Sequence, residues 1–231
     1  VSAEEAKELS AEEILSRLSG LLSYDEYRYQ RENRMAIGVP WRAEGLHMPL
    51  YQCPVCGHEF EMDSQGDRIF CRACGSAWEM DEYGNLMEVK NTRGEAPLGT
   101  NVKIPDWYEW ERENVEREIG EGRYRLDCSV RVEALPNSVN FIDCGEGRLV
   151  HEKTGFGLSF RDYRDGQQRT LHFPSASMTS IHTEYDYRGK GQCVVLSVPD
   201  DTYFLFPLEK KFNATKIQFA VEYLYCSRSH F

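Results

Sequence analysis

Two short cysteine pairs constrain this chain more than any other feature: Cys53-Pro-Val-Cys56-Gly57 and Cys71-Arg-Ala-Cys74-Gly75, with fourteen residues between them. Two residues between cysteines let one turn aim both sulfurs at a single point. The glycine after each pair lets the backbone curl so that N–H groups face sulfur. A hairpin across the gap would bring the two turns together. Four thiolates in a tetrahedron at about 2.3 Å are the preferred donors of structural zinc. The gap is a little shorter than the ~15–20 residues common between such pairs, within the variation of zinc ribbons. Cys53, Cys56, Cys71 and Cys74 are therefore the expected metal ligands, and zinc is the expected cofactor. The ion would act as a staple for a segment too small to build its own core. A full set of thiolates leaves no position for water, so no catalysis is expected at the ion. Iron in a rubredoxin-like role also suits four thiolates, and two disulfides are the covalent alternative.

Compartment separates those alternatives. No signal-peptide pattern opens the chain, which starts on Val1 rather than Met and so reads as a piece of something longer. No apolar run approaches the ~20 residues needed to cross a bilayer. A reducing, cytoplasmic setting is expected, and that favours metal over disulfides. Cys128, Cys144, Cys193 and Cys226 are scattered singly and read as buried free thiols, the reading for a lone cysteine among apolar residues such as Cys193-Val194-Val195. The formal net charge of −11 on 231 residues opposes contact with phosphate backbones and with anionic lipid.

The elements fall into four stretches: a helical connector over 1–49, the zinc ribbon over 50–90, a linker over 91–104, and a β domain with flanking helices over 105–231. Ser10-Ala-Glu-Glu13 is a capping box, and Ile14, Leu15, Leu18, Leu21 and Leu22 follow it on one helical face. Residues 24–34 continue as a second helix, rich in tyrosine and charge. Two hairpins carry the cysteines, with strands around 59–62, 68–71, 77–80 and 86–89. Asp106 is the expected N-cap of a helix whose Trp107, Tyr108 and Trp110 serve packing. Eight candidate strands then alternate: 125–132, 139–143, 148–151, 157–160, 170–173, 180–185, 193–197 and 203–206. Turn signals separate them, Gly145 and Gly147 among these. Asn213 caps a last helix with Ile217, Ala220, Val221 and Leu224 at helical spacing. Seven or eight short antiparallel strands closed by one amphipathic helix is the layout of a PH-like barrel. The expected fold class is thus α+β: N-terminal helices, a four-cysteine zinc ribbon, and an antiparallel PH-like β-barrel capped by a C-terminal helix.

Other constellations carry less. His58 and Asp63 match an HxxxxD acyltransferase pattern, but they lie between the cysteine pairs, where no cleft is expected; the match reads as coincidence. His47 and His58 could be reserve ligands, although four cysteines already satisfy the ion. His151, His172, His182 and His230 are dispersed. No nucleophile elbow, Walker loop or dinucleotide fingerprint is present.

The whole chain nevertheless resembles the C-terminal half of bacterial 1-acylglycerol-3-phosphate acyltransferases. The matching stretches begin with Tyr24-Asp25, Gln30, Glu32, Arg42-Ala-Glu-Gly-Leu46 and Leu50-Tyr51. Cys53-Pro54, Cys56, Cys71, Cys74-Gly75 and Glu82-Tyr-Gly84 with Leu86 follow. Ile104-Pro-Asp-Trp-Tyr108, Trp110-Glu111 and Leu135-Pro-Asn137 continue the match, and Gly155-Phe156, Glu184-Tyr-Asp-Tyr187 and Asp200-Asp-Thr-Tyr203 complete it. The resemblance implies a membrane-associated acyltransferase domain upstream, absent from this chain, which would carry the catalytic His–Asp pair and the glycerol-phosphate site. No catalytic residue transfers here; only the four cysteines do. The chain would be an accessory region that positions, regulates or recruits, its β domain touching a protein or a lipid headgroup, with the parent protein at the membrane surface. The competing reading is a zinc-ribbon module for protein or nucleic acid, with Phe60, Phe70 and Trp78 stacking on bases. Only Arg68 and Arg72 are basic between residues 53 and 80, against five acidic residues, which makes nucleic acid a poor partner.

Overall fold

The structure, a computed structural model, describes residues 2–94 and 97–227; His230 lies outside them. The chain opens with α1 (Glu5–Glu8), α2 (Ala11–Leu22) and α3 (Glu26–Glu32). The capping box is formed as expected: the Ser10 hydroxyl accepts from the Glu13 amide, and the Glu13 carboxylate accepts from the Ser10 amide. Despite its apolar stripe, α2 buries no residue. Asp25 caps α3, whose buried Gln30 donates to the carbonyls of Met35 and Glu82 at 2.9 and 3.0 Å and so moors the helix to the cysteine module.

That module is a five-stranded antiparallel sheet in sequential order: β1 (Met62–Gln65), β2 (Arg68–Cys71), β3 (Ala77–Met80), β4 (Asn85–Lys90) and β5 (Asn101–Lys103). The first hairpin starts at Met62 instead of Glu59, because Glu59 and Phe60 pair back to Gln52 and Tyr51 across the cysteine turn. β5 falls within the stretch expected as linker, where Val102 pairs with Leu86 and enters the core beneath the sheet. Helix α4 (Ile104–Gly120) follows directly. It starts two residues before the expected cap, with Lys103 at the boundary and Asp106 in the first turn. Pro105 explains the shift, since its fixed φ and missing N–H suit the first helical turn. Ile104 and Trp107 bury against the cysteine module, and Trp107 meets Trp78 edge-on at 4.8 Å between ring centroids.

The second sheet has seven antiparallel strands: β6 (Leu126–Ala134), β7 (Ile142–Glu152), β8 (Gly155–Arg161), β9 (Gln168–Pro174), β10 (His182–Glu184), β11 (Cys193–Val198) and β12 (Asp201–Pro207). Its order is β10-β11-β12-β6-β7-β8-β9, so the sheet curls into a half-barrel with β9 and β10 at its edges. The candidate strands at 139–143 and 148–151 are one strand, β7, and the two glycines between them make no turn. Gly145, at φ +79°, instead lies where the register with β6 shifts. Gly147 lets β8 approach, since a Cβ there would lie 2.8 Å from the Ser159 carbonyl.

Helix α5 (Ala214–Ser227) closes the half-barrel, with the Asn213 side chain accepting from the Lys216 amide as its cap. The helix has two working faces. Ile217 and Val221 join the half-barrel core with Val130, Leu149, Phe156 and Leu205. Phe219, Ala220 and Leu224 pack on α4 and on Tyr51 of the cysteine module. The expected α+β layout holds, with helices at both ends, a curled antiparallel sheet and a C-terminal helix. Among the lone cysteines, Cys128, Cys144 and Cys193 are buried as expected, but Cys226 is exposed near the end of α5.

Candidate metal centre

The two cysteine turns are built alike. In the first, the Gly57 amide donates to the Cys53 carbonyl at 2.8 Å and the Cys53 amide to the His58 carbonyl at 2.9 Å. In the second, the Gly75 amide donates to the Cys71 carbonyl at 2.8 Å and the Cys71 amide to the Ser76 carbonyl at 2.9 Å. Gly57 and Gly75 sit at φ +74° and +75°, a conformation with a steric cost for any side chain. Local sequence thus dictates each turn. Hairpin β1–β2, pairing Met62 with Cys71, sets one turn against the other.

All four sulfurs lie within 4.8 Å of one another, Cys53 with Cys74 at 3.8 Å and Cys56 with Cys71 at 3.7 Å. A tetrahedron with metal–sulfur bonds of about 2.3 Å has edges of ~3.8 Å, so these spacings suit one ion at the centre. A disulfide would need sulfurs ~2.05 Å apart, and all eight cysteines are free thiols. Burial pushes the Cys53 thiol up and Cys71 to about 11. At Cys74 burial acts the same way, but the Ser76 hydroxyl, 3.4 Å away, the Ser76 backbone and neighbouring thiols outweigh it and hold the group at about 6. Backbone N–H groups of Val55 and Cys56 bear on Cys53, and those of Ala73 and Cys74 on Cys71, each favouring the thiolate. A divalent cation would complete a centre of donors, turns and amides already in place.

The structure brings all four sequence-selected cysteines together and leaves the histidines aside. The His47 Nδ1 is 2.7 Å from the Ser64 hydroxyl, and His58 is exposed. Asp63 bonds Arg72, not His58, so the HxxxxD pair has no joint geometry. The aromatics named as a stacking platform are partly withdrawn: Trp78 is buried, and Phe60 and Phe70 are half-buried. Arg68 is paired with Glu79 at 3.2 Å and Arg72 with Asp63.

Sequence reasoning missed the residues that hold the centre against the rest of the molecule. The backbone of Gln52 donates to the Glu111 carboxylate at 2.7 Å and accepts from the Trp107 indole at 3.0 Å. Its side-chain oxygen accepts from Asn114 at 2.8 Å. Both Glu59 oxygens accept from Lys216, at 2.8 and 2.7 Å, and Lys216 also pairs with Glu118 at 2.9 Å. Glu111 and Trp107 did have a weak signal, since both fall on the apolar face of α4 at i and i+4. Lys216 has none in its local sequence. No family model matches the chain, and no curated protein matches it.

Proposed function

We propose that this chain is a non-catalytic accessory region organised by one structural zinc ion, and that it serves a glycerophospholipid acyltransferase by positioning, regulating or recruiting. The observation that carries the zinc reading is the convergence of four cysteine sulfurs at tetrahedral spacing on two matched turns. Four thiolates saturate the ion, so it organises structure and offers no site for water or substrate. The acyltransferase assignment rests on the sequence resemblance alone. In that reading the half-barrel supplies the contact to protein or lipid headgroup, and the whole works in the cytoplasm, with the parent protein at the membrane surface.

Two measurements test it. Elemental analysis of protein produced in zinc-containing medium should give one zinc per chain. A red product with iron absorption would replace zinc by iron, and no metal at all would remove the centre. An acyl-transfer assay with lysophosphatidate and an acyl donor should give no turnover on this chain; turnover would contradict the accessory reading. Nucleic-acid binding is disfavoured because Arg68 and Arg72, the two basic residues between 53 and 80, are both paired with carboxylates.

A further inference from the structure

The two cysteine turns have different neighbours. The second belongs to the five-stranded sheet: Cys71 ends β2, and Ser76 after it shares hydrogen bonds with Thr92. The first lies outside the strands. The segment entering it and the segment leaving it are joined by the bridge of Gln52 with Glu59 and by the Phe60 amide, which donates to the Tyr51 carbonyl at 2.9 Å. Those same two segments contact α4 and α5, while the start of α4 also rests directly on the sheet through Trp107 on Trp78. Gln52, next to Cys53, is held by Glu111, Trp107 and Asn114 of α4. Glu59, three residues after Cys56, is held by Lys216 of α5. Between them Tyr51 and Phe60 stack at 5.9 Å, in one cluster with Val115, Ile119, Phe219 and Leu224. Phe60 takes φ +63°, rare for a bulky residue, and is kept there by its surroundings.

We propose that the first cysteine turn is a docking plate for α4 and α5, and that metal occupancy decides whether the plate is clamped to the five-stranded sheet. With the four sulfurs joined through one ion, the plate and the sheet move as one body and hold the outer face of α5. Without the ion, the plate keeps its bridge and turn hydrogen bonds, the Arg72 amide on the Glu61 carbonyl at 2.8 Å, and the packing of Leu50 and Val55 beneath the sheet, but no ion joins Cys53 and Cys56 to Cys71 and Cys74. The inner face of α5, through Ile217 and Val221, stays in the half-barrel core in either state. The half-barrel therefore keeps its fold, while the seam opens. A cavity of about 160 Å³ sits on that seam, walled by Glu59 and Phe60 on one side and by Tyr124, Leu126, Lys216 and Ile217 on the other. Its shape follows the ion's presence, which makes the chain a metal-responsive conformational device. The proposal rests on the zinc reading above.

Hydrogen exchange followed by mass spectrometry on the full chain, zinc-loaded and chelator-stripped, tests it. Stripping should raise exchange ~10-fold or more in peptides covering 50–60, 108–119 and 218–224, with β6 to β8 unchanged. Equal protection of α4 and α5 in both states would overturn the proposal, and so would loss of protection throughout β6 to β8. A second arm leaves the cysteines alone. Lys216→Met should retain one zinc per chain yet raise exchange around Glu59 and the first turns of α5, and Lys216→Arg should restore it. Unchanged exchange in Lys216→Met, or loss of its zinc, would also overturn the plate. A chain that takes up no metal by elemental analysis fails at the zinc reading itself; a loaded chain without coupling fails here only.

Discussion

In the proposed zinc centre each cysteine is a single point of failure, because three thiolates would neither saturate zinc nor tie the two turns together. Cys71→Ala should lower the metal content from one ion per chain to near zero. It should also remove folding free energy on the order of 10 kcal/mol from the module, read as loss of its thermal transition. Two buried titratable residues give opposite pH signatures. Glu111 is fully buried; one oxygen accepts from Gln52, and the other has no partner. Burial, aided by Glu59 nearby, raises its carboxyl well above the ordinary 4.5. A folded value above the unfolded one contributes stability below about pH 4.5 that is lost as pH rises through the folded value. Glu111→Gln should flatten that decline, measured as melting temperature against pH; an unchanged slope would remove the assignment. His151 runs the other way. It is buried, stacked on Phe156 with ring centroids 3.8 Å apart, and within 2.8 Å of the Tyr124 hydroxyl. Burial lowers it from 6.5 to about 3. Its contribution is complete above pH 6.5 and disappears as pH falls from there toward 3, so acid sensitivity in that window is its signature.

Among the elements, β8 depends on a residue that cannot be replaced. Gly155 takes φ +122°, and a Cβ there would lie 2.0 Å from the Phe173 carbonyl of β9. Gly155→Ala should cost about 2 kcal/mol or more, through strain and overpacking together, seen as a lower denaturant midpoint with unchanged slope. Helix α2 is the contrary case. Its leucines 15, 18, 21 and 22 are exposed, and it buries nothing. Removing residues 2–23 should shift the melting temperature by no more than about 2 °C. A larger loss would mean that the helix packs on the rest of the chain in solution. The capping box explains why α2 still forms: it closes the first turn locally, whatever the stripe faces.

Seen whole, the molecule is two antiparallel sheets joined by α4 and α5, and its energetics divide at the seam. The five-stranded sheet has one buried cluster and the half-barrel two, one on each face, and a further cluster belongs to the seam alone. Lys216 bridges Glu59 and Glu118 there, with only 17% of its side chain exposed. Losing such a partly buried pair leaves carboxylates without a partner, so Lys216→Met should cost about 3–5 kcal/mol, more than any exposed ion pair of the half-barrel. A double-mutant cycle with Glu59→Gln checks this; a coupling energy near zero would place Lys216 among the ordinary surface lysines.

Short-range patterns settled much of this protein before any folding was considered. The Cys-x-x-Cys-Gly turns, the Ser10 box, the Asn213 cap and the alternation of the strands act within a few residues, so the convergence of the four cysteines and the α+β layout were legible from the chain. Gly145 and Gly147 misled for the same reason: a local reading sees a turn, while only the neighbouring strands β6 and β8 make the pair a bulge and a close approach. The partners of Gln52, Glu59 and Asn213 lie 55 to 165 residues away. No local preference encodes contacts of that range. They exist because the apolar face of α4 and two apolar faces of α5 had to be buried at once, and only the assembled sheets determined against what.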